Sequence, residues 1–324
     1  MALSVSVAMA TFNGGHFIAE QVASILNQVR PPDELIISDD GSSDGTVEIV
    51  REVVADHPEV AVHLVVISGG ERLGVTGNFE RAIAATAGEI VVLSDQDDVW
   101  HRERISSVLP LFEADGKLEF VHSDAELVDE AGRPLGRGLL ESLGITVSER
   151  ALIAAGRSFE VFLRRNLATG AVSAFRRTLL ERASPFPKAW VHDEWLAILA
   201  AAAGSSALVD ERLVDYRQHG SNEIGVAERT LGYKLGRLFD PRLDRYSVLA
   251  ERAAQLQRRL NSGYANGVLS LAQEKLEFES VRARYPRIRI ARVPEVLHQT
   301  LLGRYGRLSS QGRLDIVRDL AQPS

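Results

Sequence analysis

Three carboxylates stand within four residues in the segment Asp95-Gln96-Asp97-Asp98, directly after the apolar run 89–93. Like charges this close repel one another, so the cluster is costly unless a cation lies among them. Mg²⁺ and Mn²⁺ prefer carboxylate oxygen and share it with the phosphates of a substrate. The segment therefore predicts a divalent metal, Mg²⁺ or Mn²⁺, that holds a phosphate group.

A second acidic cluster repeats this arrangement earlier in the chain. Asp39, Asp40 and Asp44 follow the apolar residues Ile36 and Ile37. Two acidic segments, each at the end of an apolar run, predict an active site on one edge of a sheet.

The elements that must position these clusters alternate between strand and helix. Apolar and β-branched runs predict strands, and apolar residues at helical spacing predict helices. The predicted strands are 3–10, 34–38, 60–67 and 89–94, and the predicted helices are 17–29, 44–55 with Asp44 as N-cap, and 76–87. This order predicts an α/β fold with a mostly parallel central sheet and helices on both faces. Ligands of such sheets bind beyond the carboxyl ends of the strands, where both acidic clusters lie.

The pattern becomes mixed after residue 117 and helical after residue 225. The middle part predicts strands at 120–122, 170–175 and 212–216, a turn at 129–132 and helices at 151–164 and 193–203. We therefore predict a catalytic domain over residues 1–225 and a C-terminal α-helical extension over 226–324.

Composition excludes several classes of protein. The 324 residues are 45% apolar, which is enough for a real core, and the net charge of −7 argues against general nucleic-acid binding. The chain has no cysteine, which excludes disulfides, thiolate zinc sites and cysteine nucleophiles. No signal peptide or transmembrane span is predicted, so we expect a cytoplasmic protein.

Three common ligand-binding motifs are absent. Residues 11–16 follow the first strand but do not match G-x-G-x-x-G, and the chain has no Walker A sequence. Residues 40–45 match the first half of an EF-hand loop, but Arg51 stands where that loop needs a bidentate glutamate.

Six segments taken together resemble glycosyltransferase family 2, whose members are inverting enzymes with a GT-A fold. In chain order they are Ala10-Thr11-Phe12-Asn13-Gly14, Asp39-Asp40-Gly41-Ser42-Ser43-Asp44-Gly45-Thr46, Gly74-Val75-Thr76-Gly77-Asn78-Phe79, Asp95-Gln96-Asp97-Asp98-Val99-Trp100, His192-Asp193-Glu194-Trp195 and Tyr216-Arg217-Gln218-His219-Gly220-Ser221-Asn222. The forms of the fourth segment and of Asn166-Leu167-Ala168-Thr169-Gly170 are most similar to bacterial rhamnosyltransferases of O-antigen and capsule assembly.

The resemblance implies roles for the acidic cluster after the fourth strand. Asp95 and Asp97 match the D-x-D signature, so Asp97 should ligate the metal on the donor diphosphate and Asp95 should lie nearer the ribose. Asp98 would assist the metal or cap the next helix. The alternative is that all three residues only cap a helix beginning near Trp100.

The resemblance also implies a nucleoside pocket. Asp39 corresponds to the carboxylate that accepts the ring N–H of uracil or thymine; Thr11, Asn13 and Glu20 would line the same pocket, and Asn78 would close it. Alternatively, Asp39 and Asp40 only shape a turn before Gly41.

Asp193 is the implied general base, at the Asp of the family's E-D motif, where His192 replaces the usual Glu. The alternative is that Asp193 caps the helix 193–203, with Glu194 as the reserve base. His219 is the implied metal or diphosphate ligand or else a structural residue, and Arg217 would pair with phosphate. Trp100 and Trp195 are expected in the core.

The C-terminal segment is basic and amphipathic. Between Val281 and Leu314 eight arginines face one acid, Glu295, with apolar residues interleaved; the arginines are Arg282, Arg284, Arg287, Arg289, Arg292, Arg304, Arg307 and Arg313. Such a segment suits the anionic inner face of a membrane. A solvated helix face or contact with another subunit is the alternative.

These observations predict a metal-dependent inverting glycosyltransferase. The expected donor is dTDP-rhamnose and the expected acceptor is lipid-linked or a growing polysaccharide, in a protein that is peripheral on the cytoplasmic membrane or forms a homo-oligomer. The alternatives are a UDP-hexose donor, a nucleotidyltransferase, and a non-catalytic sugar-nucleotide-binding scaffold.

Overall fold

The computed structural model describes residues 2–220, 245–260 and 263–322. These residues form two compact units, described separately below. The first contains 2–156, 167–200 and 205–220, and the second contains 157–166, 201–204, 245–260 and 263–322. The predicted domain boundary at residue 225, and Ser221 and Asn222 of the last motif, lie outside the described residues.

The first unit is built on one mixed sheet. Its strands are β1 (Val5–Thr11), β2 (Glu34–Asp39), β3 (His63–Ser68), β4 (Ile90–Ser94), β5 (Val99–Trp100), β6 (Phe120–Val128), β7 (Pro134–Gly138), β8 (Ser173–Arg176) and β9 (Ser206–Arg217). Their order is β3-β2-β1-β4-β8-β6-β9-β5, with β7 paired to β6. The pairs within β3-β2-β1-β4 are parallel, whereas β8 is antiparallel to both of its neighbours. The predicted α/β class with a mostly parallel sheet is confirmed.

Strand β1 shows why this sheet forms. It pairs in parallel with β2 on one side and β4 on the other, and Val5, Val7 and Met9 are fully buried. A continuous apolar run is typical of a parallel strand that is covered on both faces.

Helices of the first unit connect and cover these strands. They are α1 (Ile18–Leu26), α2 (Thr46–Ala55), α3 (Gly74–Ala84), α4 (Arg104–Ala114), α5 (Leu139–Ser142), α6 (Val147–Ala154), α8 (Leu180–Ala183) and α9 (His192–Ala202), whose last two residues belong to the second unit. Helix α1 ends three residues before the predicted end, at a C-cap residue, Asn27, whose side chain and backbone N–H both donate to the Ala23 carbonyl. Helix α2 is capped by Gly45 at φ 84°, so the prediction of Asp44 as N-cap is wrong.

Two further predictions of local structure are wrong. The predicted helix 151–164 is interrupted, since α6 ends at Ala154 and α7 (Ser158–Phe162) begins after Gly156, whose φ is 73°. The predicted strand 170–175 begins as a 3₁₀ turn at Gly170–Val172, and only Ser173 onward is strand.

The second unit is helical and holds a buried charged cluster. Besides α7 it contains α10 (Arg245–Arg259), α11 (Asn266–Ala283), α12 (Val293–Leu301), α13 (Arg304–Leu308) and α14 (Arg313–Ala321). Asp319 on α14 is fully buried and accepts two hydrogen bonds from the Arg282 guanidinium, at 2.8 and 3.1 Å. The hydroxyl groups of Tyr246 and Tyr305 donate to the same carboxylate. No described helix is long and apolar enough to cross a membrane.

Replacing Asp319 with Ala should lower the free energy of unfolding by about 3–5 kcal/mol, because it removes one of the two buried carboxylates that pair with Arg282 and the acceptor of the Tyr246 and Tyr305 hydroxyls. Chemical denaturation followed by circular dichroism measures this loss. The exposed pair of Arg258 with Glu251 provides a matched control, and Arg258→Ala should change stability by about 0.5 kcal/mol or less. Equal effects of the two substitutions would contradict a central role for Asp319.

Candidate active site

A cavity of about 630 Å³ lies at the carboxyl ends of β1 and β4. Seven of the predicted site residues line it: Thr11, Asn13, Asn78, Asp95, Asp97, Asp193 and His219. Glu20, Asp39 and Arg217 are not among its lining residues. Strand topology therefore brings both acidic segments, the third motif, Asp193 and His219 to one place, as the sequence predicted for a sheet edge.

Arg217 holds the acidic loop that follows β4. Its backbone N–H donates to the Asp98 carboxylate at 2.9 Å, and its Nε donates to the Asp97 carbonyl at 2.8 Å. The rest of its guanidinium donates to the Glu130 carbonyl and the Glu20 carboxylate, at 2.8 and 2.6 Å. The side chain is 4% exposed. Arg217 therefore positions the loop, and Glu20 serves as its counter-ion, whereas the resemblance implied donor contacts for both.

A second arginine, Arg104, lies beneath the same loop. It is 2% exposed, its Nη2 donates to the Leu93 carbonyl, and its guanidinium stacks 3.8 Å from the Trp100 ring centre. Burial lowers its pKa to about 9, and the charges of Asp98 and Asp95 oppose that shift. Arg104 is thus a buried cation of the kind that the acidic cluster requires.

The acidic loop nevertheless lacks enough positive charge to stabilise all of its carboxylates in their ionised form. Burial raises the pKa of Asp95 to about 7, and the charges of Asp97 and Asp193 add to the effect. Burial also raises the pKa of Asp98 well above its usual value, and its Oδ2 has no hydrogen-bond partner within the described chain. The alternative that these carboxylates only cap a helix is wrong, because β5 follows them and α4 begins at Arg104.

Asp97 and His219 are the residues that could hold a divalent metal. Asp97 Oδ2 lies 2.8 Å from His219 Nε2, and the two side chains are 17% and 6% exposed. Within the described residues no three such side chains form a complete metal site. A pair fits an ion that takes its remaining oxygens from a substrate diphosphate and water, as Mg²⁺ commonly does.

Asp193 lies in the first turn of α9, which begins at His192, so the alternative that Asp193 is the N-cap is wrong. Its Oδ2 accepts the Gly170 N–H at 2.8 Å, and its Oδ1 accepts the Glu194 N–H at 2.6 Å. Burial raises its pKa to about 7, with a further contribution from the Glu194 charge. A carboxylate with this pKa can take a proton near neutral pH.

His192 packs beside this carboxylate as an uncharged ring. It stacks on Phe79 with 3.9 Å between ring centres, and both of its nitrogens are buried without a hydrogen-bond partner in the described structure. Burial lowers its pKa to about 3. The residue that replaces the family's Glu therefore adds no charge next to Asp193.

One side of the cavity is formed by the two loops after β1 and β2. Asp39 accepts hydrogen bonds from the hydroxyls of Thr11 and Ser42 and from the backbone N–H groups of Gly41 and Ser42. These bonds order the turn after β2, and the role of Asp39 in nucleobase binding stays a prediction. Asp40 lines the cavity and accepts the N–H groups of Leu73 and Gly74 at the start of α3.

Asn13 and Asn78 join these loops to one another. Asn13 has φ 48°, and its side-chain oxygen accepts the Ser43 N–H at 3.0 Å. Asn78 is 3% exposed and bridges the first two strands, since it accepts from the Ser38 hydroxyl and donates to the Thr11 carbonyl.

Comparisons with known proteins support the resemblance to glycosyltransferase family 2. The family model described as Glycosyl transferase family 2 matches residues 6–182, which is more than half of the chain. The chain belongs to glycosyltransferase family 2. It is 24% identical over 229 residues to an uncharacterized glycosyltransferase of Nostoc sp., a match that covers 68% of this chain and 66% of that protein. It is 26% identical over 228 residues to the dTDP-rhamnosyl transferase RfbG of Shigella flexneri, covering 67% and 74%.

A solved structure confirms the GT-A fold of this glycosyltransferase. TarS of Staphylococcus aureus, in residues 1–349, superposes with a TM-score of 0.61 over 98% of this chain and 90% of that one, at 14% identity. Such a likeness shows the fold alone.

Three residues that position this glycosyltransferase's site were not predicted from the sequence. They are Arg104, Gln96 and Gly170. Gln96 accepts the Phe12 N–H at 2.9 Å and donates to the Phe12 carbonyl, and a Cβ on Gly14 would lie 2.4 Å from its Oε1. The sequence did offer a signal for Arg104, which stands four residues after Trp100 and close to an acidic cluster that requires a cation. Gly170 stands in a segment that the sequence motifs singled out, but its bond to Asp193, 23 residues away, could not be predicted.

Replacing Gly170 with Ala should lower kcat by roughly 10- to 100-fold, because a 1 Å displacement of a reacting group has an effect of that order. A Cβ there would lie 2.9 Å from His192 Nε2, so the His192 ring beside Asp193 must shift, whereas its 3.7 Å distance to Asp193 Oδ2 is ordinary contact. Steady-state transfer assays measure the loss. Gly267→Ala on α11 is the matched control, since a Cβ there meets open space. An unchanged kcat in Gly170→Ala would contradict the assignment of Asp193.

Proposed function

We propose that this enzyme is a metal-dependent inverting glycosyltransferase that transfers a sugar from a nucleoside diphosphate donor to a hydroxyl group of a cell-surface glycan precursor. The main support is that the hydrogen-bonded pair of Asp97 and His219 lines the same cavity as the buried Asp193. The pair provides ligands for a cation on the diphosphate, and Asp193 provides a base for the attacking hydroxyl.

Asp193 would act on the acceptor. As the acceptor oxygen forms its bond to the anomeric carbon, the hydroxyl proton passes to the Asp193 carboxylate. The hydrogen bonds from Gly170 and Glu194 orient this carboxylate, and the uncharged His192 beside it avoids an ion pair that would lower its basicity.

The leaving group departs toward the acidic loop. The bond from the anomeric carbon to the phosphate oxygen breaks, and the electron pair leaves with the nucleoside diphosphate. A divalent ion held by Asp97 and His219 would supply charge stabilisation for this diphosphate. Arg217 and Arg104 keep the loop in place through its carbonyl groups and carboxylates.

The loop after β1 disfavours a nucleotidyltransferase. Such an enzyme needs free backbone N–H groups or cations there to bind a triphosphate. The N–H groups of four consecutive residues donate instead to protein side chains: Phe12 to Gln96, Asn13 to Ser42, Gly14 to Thr46 and Gly15 to Asp44.

For the donor we propose dTDP-rhamnose and, for the acceptor, a lipid-linked or growing polysaccharide. The support is the similarity to the rhamnosyl transferase of Shigella flexneri. A UDP-linked hexose is the alternative, and TarS was solved with UDP-GlcNAc. A non-catalytic scaffold would need no base with a pKa near neutrality, which favours an enzyme.

Transfer by the wild-type enzyme should rise about tenfold per pH unit below pH 7 and level off above it. The raised pKa of Asp193 leaves the carboxyl protonated, and hence unable to accept a proton, at lower pH. A pH profile of kcat/KM measures this. Asp193→Asn should lower the rate by roughly 10²–10⁴-fold and flatten this limb of the profile. A profile that keeps its shape in Asp193→Asn would assign the base elsewhere, with Glu194 next to be tested.

A thermal-shift and donor-hydrolysis panel tests the donor and the metal. It compares dTDP-rhamnose, UDP-glucose, UDP-galactose, UDP-GlcNAc and GDP-mannose, each with and without Mn²⁺. We expect dTDP-rhamnose with Mn²⁺ to raise the melting temperature most, because a ligand that binds only the folded state stabilises it. Asp97→Ala should remove the Mn²⁺ dependence, whereas Asp56→Ala, an exposed residue at the end of α2, should not. Stabilisation by a donor without its hydrolysis or transfer would favour the scaffold, and stabilisation by no donor would contradict a sugar-nucleotide site.

A further inference from the structure

The second unit exposes an unusual amount of aliphatic surface near the C-terminus. Ile288, Ile290 and Leu301 are 69%, 79% and 86% exposed. On α12, Val293, Leu297 and Leu301 are spaced four residues apart and therefore lie along one side of the helix. The opposite side is buried, with Val296 at 1% and Gln299 at 2% exposure.

The arginines of this region divide into two groups. Arg282 and Arg292 are buried, and Arg304 and Arg307 pair with Glu274. These four stabilise the unit itself, so they are not available to a partner as the sequence-based prediction assumed. The exposed group consists of Arg284, Arg287 and Arg289, which lie close in sequence to the exposed isoleucines, and of Arg313 at the start of α14.

Arg292 holds the exposed segment in shape. Its Nε donates to the Pro286 carbonyl at 2.7 Å, and its Nη2 donates to the Arg287 carbonyl at 2.9 Å. Its Nη1 donates to the carbonyls of Asp319 and Gln322 on the last helix and just after it. The buried Arg292 therefore fixes the backbone of the exposed segment Arg287-Ile288-Arg289-Ile290.

We propose that this basic apolar face, formed by Arg284, Arg287, Ile288, Arg289, Ile290, Val293, Leu297 and Leu301, binds the surface of an anionic lipid bilayer. Aliphatic side chains enter the boundary of the acyl chains while arginines contact the headgroup phosphates. From residue 284 to 303 three exposed arginines stand against one acid, Glu295, in a chain of net charge −7, so the attraction to anionic lipid is local to this face.

The positive charge of this face favours an anionic bilayer over a second copy of the chain as its partner. A two-fold interface on this face would bring the exposed arginines against their own copies. A nucleic acid would leave the isoleucines in contact with phosphate and water.

The test is co-sedimentation of the full chain with vesicles of phosphatidylcholine alone or mixed with phosphatidylglycerol, at low and high salt. We expect binding to the mixed vesicles only, weakened by salt. Arg287→Gln with Arg289→Gln should weaken partition roughly 20-fold. Ile288→Ser with Ile290→Ser should weaken it roughly tenfold or more. All four side chains are exposed, so the melting temperature should not change.

Matched controls lie elsewhere on the surface. Val147→Ser removes an aliphatic side chain as exposed as Leu301, at 86%, and Arg51→Gln removes an exposed arginine. Both should bind vesicles like the wild type. Absence of binding, equal binding to neutral vesicles, or equal losses in the controls would overturn the proposal. So would light scattering that shows a dimer dissociated by the isoleucine substitutions. None of these readouts depends on sugar transfer, so the result is independent of the proposed function.

Discussion

The active site of the first unit depends on offsetting the repulsion among four carboxylates that lie at one edge of the sheet. Asp95, Asp97 and Asp98 follow β4, and the pKa of Asp95 also responds to the charge of Asp193. Mutual repulsion in a partly buried site is costly. Arg104 beneath the loop and the backbone N–H of Arg217 offset part of it. The repulsion that these groups do not offset is what makes the site suited to a cation, which in turn can bind a diphosphate.

Much of this arrangement could be predicted from sequence because it depends on short-range patterns. Apolar runs located the parallel strands, and motifs after them located Asp97 and Asp193. The failures involve partners far apart in the chain. Gly170 forms a 3₁₀ turn where its neighbours predicted a strand, and its N–H donates to Asp193. Likewise, the motif around Arg217 was visible, but only the structure shows that its guanidinium is occupied by Glu20 and two carbonyls.

The second unit uses arginine for two different purposes that composition cannot separate. Arg282 and Arg292 satisfy buried carboxylate and carbonyl groups, which stabilises a unit whose long helix α11 contains the buried Lys275 and Glu279. Other arginines a few residues away are exposed beside aliphatic side chains. A count of eight arginines against one acid predicted a basic surface, but burial decides which of them belong to it.

The hydrogen bond from the Arg217 N–H to Asp98 also constrains how the chain acquires its activity during synthesis. It joins residues 119 positions apart, and strand β6 pairs with β9 over a similarly long loop. Pairings of this separation form late, because the loop-closure entropy must be overcome first. A nascent chain that ends before residue 217 holds the carboxylates of β4 without the segment that fixes their loop. The acidic loop of a growing chain therefore stays unassembled until synthesis has passed residue 217.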